Sequence, residues 1–198
     1  MTIPTRNLTL VPHNPRHLLA LLMSSDEYEK LSGMRIVEGV REFLLSASPN
    51  FFAQLQTATA PDPWKIGFAI VQKIDNGAGG RRATSTGEPA RVDGPESESK
   101  NLVIGTCGFA APPDPDGVAE IGYGIAPSYQ GKGYASEAAA ALVDFASRDA
   151  RVKTVRAHTL AQTNASTRVL EKCGFQKISD AVDSENNASV WVWEKPAK

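Results

Sequence analysis

The chain has 198 residues, with 21 Lys and Arg against 22 Asp and Glu, for a formal net charge of −1. That length suits one domain able to bury a real core, and 41% hydrophobic with 22% charged residues is an ordinary globular composition. The balance gives no support for bulk electrostatic binding to nucleic acid or an anionic membrane, and no apolar run approaches the ~20 residues of a bilayer span. Residues 1–6 lack the charged-then-apolar layout of a secretion signal, and Cys107 and Cys173 are too few for a disulfide framework. The expected setting is reducing and cytoplasmic.

Residues 7–11 alternate polar and apolar and read as a first strand ended by Pro12. Pro15 suits a first helical turn, and Leu18, Leu19, Leu21 and Leu22 give the helix that follows an apolar face. A second helical stretch, about 38–55, carries Val40, Phe43, Leu44 and Leu55, and Pro49 must break or kink it. Residues 64–71 and 102–109 read as two buried strands, neighbours in one sheet. Between them, residues 75–100 hold five Gly, two Pro and one large aliphatic side chain, Val92. Such a stretch buries too little to offset its ordering entropy, so it reads as a disordered hairpin extension rather than a substrate lid. The C-terminal half predicts strands at 118–126, 153–160, 175–179 and 188–194, with helices at about 131–148 and 164–173. Helices interleave with strands, so the expected fold is a single mixed α/β (α+β) domain over 1–198.

The chemistry concentrates where strand 118–126 runs into Pro127-Ser-Tyr-Gln-Gly-Lys-Gly133 and then a helix. The first amides of a helix lack intrahelical acceptors and carry the positive end of its dipole. Gly131 and Gly133 remove side chains from those amides, and Lys132 adds charge, so the turn predicts a phosphate or pyrophosphate cradle. A Walker loop fails, since Gly133 follows Lys132 where Ser or Thr is needed and Ala126 stands where the first glycine belongs. A dinucleotide fingerprint would put its third small residue at Ser136, but strand 153–160 ends His-Thr-Leu without the required acid. A dinucleotide-binding oxidoreductase therefore stays only as the runner-up.

Gln130-Gly-Lys-Gly-Tyr-Ala135 resembles the Arg/Gln-x-x-Gly-x-Gly/Ala signature of the Gcn5-related N-acetyltransferases, the GNAT superfamily. Ala119-Glu-Ile-Gly-Tyr123 before the turn, Glu137-Ala138 after it and Asn164-Ala-Ser-Thr-Arg-Val-Leu-Glu-Lys-Cys-Gly-Phe175 downstream extend the likeness. It points to the branch containing ribosomal-protein alanine and serine N-acetyltransferases and covers nearly everything outside 75–100. The resemblance implies a twisted mixed sheet of about seven strands, flanked by helices and splayed at the fourth strand. It implies direct acetyl transfer from acetyl-CoA to a primary amine, either a protein N-terminus or a small molecule, without a covalent enzyme intermediate. A non-catalytic acyl-CoA-binding module is the alternative of another class.

By the same resemblance, the amides of Gly131, Gly133, Tyr134 and Ala135 hold the CoA pyrophosphate, with Gln130 and Lys132 beside them, Ile125 on the approaching strand and Asn164 on the pantetheine arm. Glu120 would be the general base, through water, standing on the opposite strand face from Ala119, Ile121, Tyr123 and Ile125. Its bland reading is a strand glutamate paired with a base or facing solvent. Ser166, nine residues before Phe175, would protonate the CoA thiolate; its bland reading is a helix cap. The spacing here is Asn-x-Ser, where some relatives have Asn-x-x-Ser, so Thr163 competes with Asn164 for the cofactor contact. No tyrosine follows Tyr134, which excludes the variant that uses a late tyrosine as the acid. Tyr123 and Tyr129 read as packing residues, His158 as a satisfied strand histidine, and both cysteines as small buried hydrophobes. Metal-ligand spacings such as Cys-x-x-Cys are missing, and no metal is expected.

Overall fold

The computed structural model describes residues 1–73, 101–183 and 187–198. The expected extension at 75–100 lies outside them. The elements run β1 (Ile3–Pro4), β2 (Leu8–Pro12), α1 (Pro15–Met23), α2 (Ser25–Ser32), β3 (Arg35–Ile36), α3 (Val40–Leu45), α4 (Pro49–Thr57), α5 (Pro63–Ile66), β4 (Phe68–Gln72), β5 (Leu102–Phe109), β6 (Val118–Ile125), α6 (Tyr134–Ser147), β7 (Thr154–Leu160), α7 (Ala165–Lys172), β8 (Gln176–Val182) and β9 (Ser189–Pro196). The described strands form one sheet in the order β1-β2-β4-β5-β6-β7-β9-β8, with β3 pairing β5. Seven of these strands have five residues or more, and β6 is the fourth of them in the chain.

Both faces of the sheet are covered, which explains the unbroken apolar runs of its central strands. Successive side chains of β4 part to opposite sides. Phe68 and Ile70 join Leu8, Leu10, Ile104, Leu142 and Leu170 in one core, under α6 and α7. Ala69 and Val71 join Leu18, Leu21, Tyr28, Leu44 and Leu55 in the other, under α1–α4. Each fully buried aliphatic or aromatic side chain here contributes about 1.5–3 kcal/mol.

Local chemistry sets the element ends. Pro49 starts α4 at its first turn, with the Ser48 hydroxyl accepting from the Phe51 amide at 3.2 Å, so the helical stretch over 38–55 is broken there, as expected, into α3 and α4. The strand expected from residue 64 begins at Phe68. Asp62 caps the Trp64 amide at 3.0 Å and Pro63 occupies the first turn, which makes 63–66 helical instead. Gly67 then turns the chain at φ +67°, where an added Cβ would lie 2.4 Å from the Cys107 carbonyl oxygen. The short α2 was not apparent from the apolar pattern; Ser24 caps it through the Glu27 amide and Gly33 closes it at φ +71°.

Strand β6 changes partner half-way. Residues 118–120 pair in parallel with Thr154, Val155 and Arg156 of β7, whereas 121–125 pair antiparallel with β5. Beyond Arg156, β7 pairs only with β9. The two central strands therefore part after Glu120, opening a cleft between Ile121–Ile125 and Ala157–Leu160.

The N-terminal segment is fastened to the start of α6 by one carboxylate. Glu137 accepts from the Thr5 hydroxyl, from the Asn7 amide at 2.6 Å and from the Asn7 side chain at 2.8 Å. Partial burial pushes the Glu137 carboxyl up, but these donors outweigh it and hold it below its ordinary value of 4.5. A depressed native pKa means stability that is present above pH 4.5 and lost as pH falls through the native value. Glu137→Ala should destabilise the fold by about 1–3 kcal/mol in chemical denaturation. The wild type should also lose stability more steeply than Glu137→Gln on acidification below pH 4.5; parallel acid limbs would remove this carboxylate from the account.

Candidate active site

The turn after β6 is built from glycine conformations. Pro127–Tyr129 forms a single 3-10 turn, the Tyr129 amide donating to the Ala126 carbonyl at 2.8 Å. Gly131 and Gly133 follow at φ +75° and +84°, with no heavy atom within 4 Å of a Cβ built on either. These glycines are required by the backbone path and leave the space in front of it empty. Helix α6 starts at Tyr134 rather than 131, with Gly133 as its cap. Among the described residues, the amides of 131–136 donate to no backbone or side-chain acceptor, whereas Gln130 donates to Pro127 and Glu137 to Gly133. Six successive donors at the positive end of a 14-residue helix are the chemistry a pyrophosphate requires. Gln130 props the turn, its Nε2 donating to the Ile125 carbonyl at 2.9 Å. Lys132 folds back over the Tyr129 ring, with Nζ 4.7 Å from the centroid and 3.2 Å from the Ser128 carbonyl. Ile125 and Tyr134 are partly buried against the core, and the Tyr134 hydroxyl accepts from Gln72 Nε2 at 3.0 Å.

Asn164 and Ser166 stand at the start of α7. Asn164 is its N-cap: Oδ1 accepts from the Thr167 amide at 3.0 Å while Thr167 Oγ1 takes the Asn164 amide at 3.1 Å. Capping thus occupies Oδ1, leaving the Asn164 Nδ2 group as the donor for a ligand. Ser166 does not cap the helix. Its carbonyl accepts from the Tyr123 hydroxyl at 3.3 Å, so Tyr123 of β6 spans the cleft to α7. Sequence reasoning took Tyr123 for packing; the ring is half-buried, and burial first of all pushes its phenol well above 10.

Glu120 faces away from this turn side and borders two cavities. One, of about 270 Å³, is walled by Phe43, Leu44, Phe51, Ile66 and Phe109 and floored by bare backbone at Gly108 and Gly122. The other, of about 390 Å³, is more polar, with Asn50, Glu120, His158 and Asp183 in its wall. The His158 Nδ1 and Glu120 Oε1 atoms are 2.8 Å apart. The bond to Glu120 leads the causes that raise the His158 pKa above 6.5. His158 is thus satisfied, as read from the sequence, but by the very carboxylate nominated as base. The signal was the register: Glu120 pairs with Arg156, and period two puts residue 158 on the same face, just past the parting of the strands. Arg156 is claimed by Glu194, with its Nε 2.8 Å from Oε1, so it leaves Glu120 to the histidine. Glu120 Oε2 has no partner among the described residues.

A family model described as acetyltransferase (GNAT) domain matches residues 7–176. The chain belongs to the GNAT acetyltransferase family. Among curated relatives, an uncharacterized N-acetyltransferase p20 of Bacillus licheniformis is 37% identical over 75 residues, 38% of this chain and 42% of that protein. The uncharacterized N-acetyltransferase YjdG of Bacillus subtilis is 36% identical over 73 residues, 37% of this chain and 44% of the relative. The matches thus span less than half the length of these relatives. An acetyltransferase (GNAT family) structure from Bacillus anthracis superposes over 100% of this chain and 99% of its own, with TM-score 0.56 at 17% identity. RimL, a ribosomal L7/L12 alpha-N-protein acetyltransferase solved with coenzyme A, covers 99% and 98% with TM-score 0.57 at 16% identity. These likenesses show the GNAT fold, and the parting of β6 and β7 is the splay expected at the fourth long strand.

Three histidines make the electrostatics of this GNAT site readable by ring NMR. Burial lowers His13, to about 3, and lowers His17, whereas His158 alone is raised. One ring should titrate above 6.5 in the wild type, and Glu120→Gln should bring that midpoint down. A wild-type His158 midpoint at or below 6.5 would dissolve the pair.

Proposed function

We propose that the chain is an acetyl-CoA-dependent N-acetyltransferase acting on a primary amine in a ternary complex. The observation that carries the reading is the junction at Glu120: a partnerless carboxylate oxygen stands between two cavities, beside the cleft that ends at the six free amides of 131–136. The family match over 7–176 and the fold likeness to CoA-bound RimL support the choice of cofactor. Acetyl-CoA, when bound, supplies an acetyl thioester.

The amides of Gly131, Lys132, Gly133, Tyr134 and Ala135 hold the pyrophosphate, with Gln130 fixing the turn and Ile125 and the Asn164 side-chain amide lining the arm's path. The nucleophile must be a neutral amine, and Glu120 Oε2 takes its proton, directly or through one water. His158 orients the carboxylate through Oε1. The departing thiolate needs a proton, and Ser166 is the donor the branch implies; the Tyr123 hydroxyl, held 3.3 Å from the Ser166 carbonyl, is a second donor at the same place. A protein N-terminus and a small amine both suit this chemistry, and the cytoplasm is the expected compartment.

Calorimetry with acetyl-CoA should give saturable one-to-one binding, abolished by Gly133→Asp, which puts bulk and negative charge before the amides. Glu120→Gln should leave that affinity in place and cut turnover on any accepted amine by about 10²–10⁴-fold. Wild-type affinity in Gly133→Asp would defeat the cradle; wild-type turnover in Glu120→Gln would defeat the base.

A further inference from the structure

Strands β5 and β6 carry four glycines, at 105, 108, 122 and 124. A glycine inside a strand weakens it and usually marks the close approach of another group. Three of the four have that reason. A Cβ on Gly108 would lie 2.7 Å from the Gly67 Cα, one on Gly124 2.5 Å from the Phe43 ring, and one on Gly105 against the Gly124 carbonyl. Gly122 has no such neighbour: no heavy atom comes within 4 Å of a Cβ built there, and its φ lies outside the left-handed region. Nothing in the backbone demands glycine at 122. The residue is also exposed, although it pairs with Gly108 in the middle of a sheet covered on both faces.

The space in front of Gly122 is the apolar cavity of about 270 Å³. Positions on one face of a strand recur every second residue, about 7 Å apart, so Glu120, Gly122 and Gly124 share a face. Along it stand a carboxylate at 120, bare backbone at 122 and, over 124, the ring of Phe43. Leu44, Phe51 and Ile66 extend the apolar wall. Among the described residues, no lysine or arginine lines the cavity to repel an amine from Glu120. A carboxylate at one end and hydrocarbon at the other suit the two ends of one small molecule, an amine with an apolar group a few carbons away. The volume falls just below the range of drug-sized sites, which begins at about 300 Å³, and so suits a single branched alkyl or aryl group.

We infer that Gly122 is a specificity-determining residue of the acceptor site: its missing side chain admits the apolar group of a primary amine whose nitrogen lies at Glu120. The inference rests on the reading of Glu120 as the base that meets the acceptor. Removing that apolar group from water supplies the preference, and any side chain at 122 would take its place.

Ethylamine and 3-methylbutylamine test the inference, since they differ in apolar bulk and hardly in basicity. Titrated calorimetrically into the wild-type protein with CoA present, 3-methylbutylamine should bind about 10-fold or more tightly than ethylamine. Gly122→Ala should narrow that ratio and Gly122→Val should erase it, by weakening the larger amine. Strands favour valine over glycine, so both variants should fold, which thermal unfolding checks. A wild-type ratio near one, or no binding of 3-methylbutylamine, would overturn the pocket without recourse to any variant. An unchanged ratio in folded Gly122→Val would overturn the role of Gly122. The expected ratio with no acetyl transfer from acetyl-CoA to either amine would instead defeat the catalytic reading and leave the pocket standing. Transfer to both amines with equal kcat/KM would do the reverse.

Discussion

Everything at this site follows from one unmade set of hydrogen bonds. A parallel pair of strands ordinarily keeps its ladder to the end, because unpaired backbone donors and acceptors are costly away from water. Here β6 gives its last five residues to β5 alone, and β7 gives its last four to β9 alone. The backbone edges left facing the cleft need a partner, and Tyr123 supplies only one hydroxyl bond across it, to Ser166. The same divergence displays Glu120 and His158 at the apex, where each strand has just lost its neighbour.

Much of this was legible in the sequence because it follows from single residues. Gly131 and Gly133 announce positive φ in a strand-to-helix turn, and Pro49 announces a helix start. The four-residue apolar run of β4 announces a strand covered on both sides. What was not legible depends on register and depth. His158 and Glu120 are 38 residues apart, and only the parallel pairing 120↔156 brings them within 2.8 Å. His13 reads as one more polar residue after a strand-ending proline, yet the fold buries it. At 63–66, local capping by Asp62 and Pro63 overrode an apolar pattern that fits a strand equally well.

The distribution of polar groups follows function more than stability. The surface ion pairs of i,i+3 and i,i+4 type contribute little. Arg156–Glu194 and Glu120–His158 instead line up across β6, β7 and β9, each carboxylate with its own cation or imidazole, so the nominated base is spared competition from the nearby guanidinium.

Phe43 lies across Gly124, where even one methyl on the strand would stand 2.5 Å from the ring. The same ring forms part of the apolar cavity wall, and Gly124 belongs to the half-strand that borders the cleft. No slack separates the two, so a ring pressed toward β6 meets the strand backbone directly. A change at Phe43 is therefore felt by the cavity wall and by the strand beside the cleft at once.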